Sequence, residues 1–139
     1  MTACIDTNVL SALLGAEPTA PAISGTLNTL RRAGPLVIHG SVYAELLAAP
    51  GNSQRHLETF LTRGQLQVDW NTSEAIWQAS GRAYSAYARR RARSGGGPPR
   101  RILADFLIGA HALSLGASLV TLDDTHYRQA YPGLPLVMP

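Results

Sequence analysis

A chain of 139 residues suffices for one domain of ordinary size, which buries roughly two thirds of its surface and needs no disulfide or zinc staple. Its single cysteine, Cys4, excludes an intramolecular disulfide and a multi-cysteine zinc site, while 45% apolar against 15% charged residues excludes a disordered chain. All 12 basic residues are arginine, which excludes a Gly-Lys-Ser/Thr phosphate loop and a Schiff-base lysine, and the net charge of +3 is compatible with a phosphate-rich partner.

In chain order, residues 2–5 read as a short buried strand, stopped by Asp6-Thr7-Asn8. No basic stretch precedes Asp6, so this start does not read as a signal peptide. Residues 9–14 form a short apolar helix closed by Gly15. Pro18 and Pro21 open a second helix, in which Ile23, Leu27 and Leu30 share a face and which ends at Gly34-Pro35. Residues 36–38 predict a second strand. Ser41 is a candidate cap for a helix carrying Val42, Glu45 and Leu46. Leu57, Phe60 and Leu61 mark a helix ended by Gly64, and residues 66–68 a third strand.

The polar run 71–74 starts a long helix with Ile76, Ala79, Ala83 and Tyr87 on one side. It runs into six arginines, Arg89, Arg90, Arg91, Arg93, Arg100 and Arg101, interrupted by the loop 94–99. Residues 102–115 form a helix whose core face is Leu103, Phe106, Leu107, Ala110 and Leu113. Residues 118–121 are a fourth strand and 134–137 a possible fifth. The apolar stretch 102–120 holds Asp105 and His111, which are costly in lipid, so the chain is expected to be cytoplasmic and to touch no membrane. Short apolar strands alternating with helices predict a three-layer α/β/α architecture around a parallel sheet of four to five strands, with residues 1–139 as a single domain.

Ligands of such sheets bind outside the carboxyl ends of the strands, at the point where strand order reverses. Asp6 follows the first strand and Asp123 the fourth. Neighbouring strands lie roughly 4.8 Å apart, a spacing at which two carboxylates need a cation, and hard oxygen donors suit Mg²⁺ or Mn²⁺. Glu45 and Asp105 are two more acids set in apolar helices. Each acid has a plain alternative: Asp6 as a helix cap, Asp123 with Asp124 as a turn, Asp105 as a helix-start charge, and Glu45 as a solvated residue. Glu17, Glu58, Asp69 and Glu74 sit in polar surroundings. Of the histidines, His126 is the candidate for substrate contact because it follows Asp123 closely. His111 lies about 120° around the helix from Asp105 and does not pair with it. Cys4 is expected to be buried and inert.

Asp6-Thr7-Asn8-Val9-Leu10, Ala44-Glu45-Leu46, the run from Ala104-Asp105-Phe106 to His111-Ala112, and Leu119-Val120-Thr121-Leu122-Asp123 resemble, in order and spacing, the four motifs of PIN-domain ribonucleases. Within that superfamily the chain resembles the VapC-type toxins of bacterial toxin–antitoxin pairs. The resemblance implies a metal-dependent endoribonuclease in which Asp6, Asp105 and Asp123 hold Mg²⁺ or Mn²⁺ and Glu45 completes the catalytic acids. It further implies an RNA substrate, a cognate antitoxin and a homodimer. The family often has a basic or polar residue where this chain has Leu122, so the fourth acid is Asp123, by the Thr-x-Asp spacing, or Asp124. Thr7, Asn8 and Thr121 are candidates to orient the acids, or complete their turns. Arg89, Arg90, Arg91, Arg93, Arg100 and Arg101 are an RNA-backbone clamp or a solvated helix end. Two rivals remain: a PIN nuclease of RNA processing without an antitoxin, and a catalytically silent RNA-binding module.

Overall fold

Five short apolar segments pair side by side and all in parallel: β1 (Ala3–Ile5), β2 (Leu36–His39), β3 (Leu66–Asp69), β4 (Ser118–Val120) and β5 (Leu136–Val137). Their order across the sheet is β3-β2-β1-β4-β5, so strand order reverses between β1 and β4. The computed structural model describes residues 1–97 and 101–139. Parallel pairing demands crossovers, and seven helices lie among the described residues: α1 (Thr7–Leu14), α2 (Ala20–Ala33), α3 (Gly40–Leu47), α4 (Gln54–Arg63), α5 (Glu74–Arg93), α6 (Leu103–Ser114) and α7 (Asp124–Ala130). The result is the expected three-layer α/β/α architecture, with a sheet of five strands.

The core is aliphatic and continuous. β1 and β2 are buried along their whole length, as strands covered on both faces must be. Ile23 and Leu27 of α2 are buried on the face that the spacing predicts, each contributing about 1.5–3 kcal/mol by leaving water. No helix among the described residues is long and apolar enough to cross a membrane.

Three local readings change. First, α6 does not bury one stripe. Leu103 and Leu113 are exposed, while Phe106 through Ala112 are buried without a break. The middle of the helix lies between α5, α3, α7 and the sheet, so it is covered on every side and only its ends meet solvent. Second, the cap of α3 is the His39 side chain, which accepts the Ser41 amide, while Ser41 is already inside the helix. Third, α7 was not foreseen. Its sequence, Asp124-Thr125-His126-Tyr127-Arg128, lacks an apolar period, and its formation rests on burying His126 and Tyr127. Gly64 ends α4, as the sequence reads, and the residue after it, Gln65, is left-handed (φ 53°).

Candidate active site

Parallel register fixes the first two acids. Ile5 pairs with Val120, and the Asp6 amide donates to Val120 O at 2.9 Å, so the chain leaves β1 and β4 side by side. There Asp6 begins α1 with an extended backbone, its Oδ1 accepting the Thr7 amide at 2.7 Å. The helix-cap alternative is therefore true of Asp6, and it does not exhaust the side chain. Its Oδ2 accepts the Thr121 hydroxyl at 2.8 Å and the Tyr127 hydroxyl at 3.0 Å. Asn8 ties the same turn together by accepting the Leu122 amide at 3.2 Å and donating to Thr121 Oγ1 at 3.4 Å. Thr121 Oγ1 also accepts the Asp123 amide at 3.1 Å.

Asp6 is only 5% exposed. Burial pushes its carboxyl up to about 6; the hydrogen bonds from Thr121, Tyr127 and Thr7 oppose this, and the nearby Asp105 charge adds to it. Burial, with Asp6 close by, pushes the Tyr127 phenol far above its usual range, so it stays a neutral donor.

A cleft of about 450 Å³ opens beside Asp6, lined by Thr7, Asn8, Glu45, Asp105, Asp123 and Tyr127 among others. Asp6, Glu45, Asp105 and Asp123 thus reach one cleft from the ends of β1 and β4 and from α3 and α6. Glu45 is held by the Thr7 hydroxyl, which donates to its Oε1 at 2.7 Å. The candidate orienting residues Thr7, Asn8 and Thr121 all touch this acid network. The acids are gathered but not collapsed: among the described residues no three His, Cys, Asp or Glu side chains stand close enough to share one ion. Instead, Arg101 Nη2 lies 2.7 Å from Asp123 Oδ2.

Asp123 and Asp124 part company here. Asp123 lines the cleft. Asp124 sits in the first turn of α7, where Arg128 Nε lies 2.7 Å away and holds its carboxyl below the usual range. Asp124→Asn is expected to leave RNA cleavage near the wild-type level and Asp123→Asn to remove it, measured on one labelled RNA. The reverse result moves the fourth acid to Asp124.

The arginines divide. Arg91 and Arg101 line a neighbouring cleft of about 520 Å³ with Tyr87, Ile102 and Asp105. Arg90 is near enough to help push the His126 imidazole down. Arg93 is exposed at the end of α5. Arg89 donates to Ser85 and borders a separate groove with Gln78 and Arg82, because residues two apart on a helix do not share a face. Arg100 lies outside the described residues.

One histidine reading is corrected. His126 is buried, with the Phe106 ring edge-on at 4.8 Å, and it does not line the carboxylate cleft. The turn after Asp123 becomes helical and rotates it inward. His111 does not pair with Asp105, as the spacing implied; its partner is Asp69, whose Oδ2 lies 2.9 Å from His111 Nε2. Asp69 ends β3, 42 residues away in sequence, so its polar neighbours concealed a long-range partner. The His39 ring lies tilted at 5.0 Å from that of His111, and burial with that neighbour pushes its imidazole down to about 4, keeping the neutral form that caps α3. Cys4 is buried and its thiol is pushed up to about 12, which makes it inert as expected.

No curated protein sequence matches the chain. Among solved structures it is similar to VapBC2 from Rickettsia felis, bound to a DNA fragment from the promoter, with a TM-score of 0.74 at 22% identity over 99% of this chain and 98% of that one. It is similar to VapBC-1 from nontypeable Haemophilus influenzae (TM-score 0.69, 23% identity, 99% and 98% coverage) and to FitAcB from Neisseria gonorrhoeae (TM-score 0.62, 19% identity, 96% and 95% coverage). At these identities the likeness is one of fold. A sequence profile of the PIN domain matches residues 3–131, nearly the whole span from β1 to the end of α7, and the chain belongs to the PIN-domain family.

Proposed function

We propose that this protein is a divalent-metal-dependent endoribonuclease and the toxin of a toxin–antitoxin pair. The observation that carries the reading is the convergence of Asp6, Glu45, Asp105 and Asp123 on one cleft at the β1/β4 reversal. Four separate elements deliver these acids, and helix capping or surface charge gives no reason for that. The toxin half rests on the fold shared with the VapBC and FitAB complexes. From these it takes a cognate antitoxin and, by family resemblance, a homodimer.

The donor set fits Mg²⁺ or Mn²⁺. The donors are hard carboxylate oxygens brought to one cleft. Asp6, Asp105 and Asp123 would hold the ion, with Glu45 beside them. When bound, such an ion polarises the scissile phosphate and acidifies a water. The protein supplies orientation. Thr121 and Tyr127 fix Asp6 Oδ2 by donating to it, which leaves Oδ1 a lone pair directed away from the Thr7 amide. Thr7 fixes Glu45 across the cleft, in position to take a proton from an attacking water. The expected products carry a 5′-phosphate and a 3′-hydroxyl.

Chelation tests the reaction. Cleavage of single-stranded RNA by the purified protein is expected to vanish in EDTA and return with excess Mg²⁺ or Mn²⁺. Undiminished cleavage in chelator would end the metal-dependent reading. Growth arrest on expression, relieved by the product of an adjacent small gene, tests the toxin half.

The run Arg89, Arg90, Arg91, Arg93, Arg100 and Arg101 is proposed to steer the RNA backbone, and Arg91 and Arg101, which line the neighbouring cleft, support this most directly. Replacing Arg90, Arg91 and Arg93 with Gln is expected to flatten the slope of log K against log salt by up to about two units, since each phosphate contact on a single strand contributes about 0.7. RNA binding at four or five salt concentrations measures this, and an unchanged slope returns the segment to a solvated helix end.

A further inference from the structure

Arg101 is the one basic residue among the described residues that line the carboxylate cleft, and it also borders the neighbouring cleft with Tyr87, Arg91, Ile102 and Asp105. Its backbone is pinned on both sides: the amide donates to Tyr87 Oη at 3.0 Å, and the carbonyl accepts from Tyr84 Oη at 3.2 Å. Both tyrosines come from α5 and rest on Phe106 of α6, with ring centroids 4.7 and 5.6 Å away. The root of the side chain is therefore fixed at the mouth of the site. The side chain is 38% exposed, and its guanidinium pairs with Asp123 at 2.7 Å and feels the Asp105 charge. A long side chain with a fixed root and a half-exposed head reaches either cleft by rotation about its own bonds.

A guanidinium does not deprotonate in proteins, so pH cannot remove this counter-charge; another cation has to displace it. Once off Asp123, its planar fork suits a phosphodiester bidentately. We propose that Arg101 is a built-in switch between metal and substrate: it neutralises Asp123 while no divalent ion is bound, gives way when one binds, and then takes an RNA phosphate in the neighbouring cleft. This rests on the metal-dependent reading above and adds a coupling between the two ligands: metal binding strengthens RNA binding through Arg101.

The test uses the full-length protein and its Arg101→Gln and Arg101→Lys variants. Mn²⁺ binding is measured by calorimetry without RNA. Binding of a short single-stranded RNA is then measured with and without saturating Mn²⁺, and the RNA is checked afterwards for integrity. Arg101→Gln is expected to bind Mn²⁺ about fivefold more tightly, the upper range for an ion pair of this exposure. Arg101→Lys, which keeps the charge, is expected to bind Mn²⁺ close to wild type. Saturating Mn²⁺ is expected to tighten RNA binding several-fold more in wild type than in Arg101→Gln, with little difference between the two proteins when metal is absent. A merely structural role would shift RNA affinity equally in both conditions. Equal Mn²⁺ affinity in wild type and Arg101→Gln would overturn the switch and leave the metal-dependent reading standing. No Mn²⁺ binding by any of the three proteins would overturn both.

Discussion

Asp6→Asn is expected to reduce RNA cleavage by about 10³-fold or more, the scale of losing a group that acts at the reacting centre, and at the same time to stabilise the metal-free protein. The second effect follows from the acid's position. Asp6 is buried, and its carboxyl rises from 3.8 to about 6 on folding. The folded state therefore holds this proton more tightly than the unfolded state. The resulting stability is fully present below about pH 3.8 and is lost as pH rises through about 6. At pH 8 the ionised Asp6 costs the fold about 3 kcal/mol. Asparagine carries no charge and keeps an oxygen for the Thr7 amide, but its NH2 replaces the Oδ2 that accepts from Thr121 and Tyr127, which offsets part of the gain. The variant's melting temperature is expected to exceed that of wild type by about 5 °C at pH 8, with the difference roughly halved near pH 5 and closed only below about pH 3.8. Adding Mg²⁺ or Mn²⁺ should reverse the order, because the ion stabilises only the protein that binds it. Scanning calorimetry of both proteins at pH 5 and 8, with and without metal, measures all of this. A variant less stable than wild type at pH 8 in chelator would show that Asp6 is not under electrostatic strain.

Gly109→Ala is expected to lower the melting temperature by about 10 °C, through crowding alone. Gly109 lies in the buried middle of α6. A methyl group there would overlap the Tyr131 ring and lie 3.2 Å from Tyr127 Cδ1. Tyr131 cannot swing aside, since its ring is buried and its hydroxyl donates to Phe106 O at 2.6 Å. α6 and α7 would have to separate, at about 1–3 kcal/mol or somewhat more. Because α6 carries Asp105 and α7 carries the Tyr127 that bonds Asp6, cleavage should fall as well. Gly81→Ala is the control. Gly81 lies inside α5 with nothing within 4 Å of an added methyl, so the same substitution should stabilise by about 0.5–1 kcal/mol. A Gly109→Ala variant that melts with wild type would mean that the contact between α6 and α7 yields.

The sequence by itself determined what depends on local pattern and on chemistry at chain turns. The short apolar runs read at 2–5, 36–38, 66–68 and 118–121 are strands of a parallel sheet in the structure, each within one residue of those bounds. The periodicity of α2 foretold its buried face. Asp6 and Asp123 were legible because ligand sites in such sheets lie at strand ends, and Glu45 and Asp105 because a carboxylate between apolar neighbours demands a reason.

Only the tertiary structure decided who meets whom. The short helix α7 carries no signal of its own, since burial of His126 and Tyr127 against distant elements decides its conformation. Asp69 looked like a surface acid until β3 lay beside the helix bearing His111. Tyr127, absent from the sequence reading of the site, is a donor to Asp6 because α7 turns it inward. Ion pairs and hydrogen bonds between residues a hundred positions apart leave no periodic trace, because no local constraint links the two partners. For the same reason the arginine run, read in sequence as one clamp or a solvated helix end, divides in space, with Arg101 on Asp123 and Arg89 bordering a separate groove. Composition supplied the charges, and the packing of α5 against α6 decided which of them faces the acids.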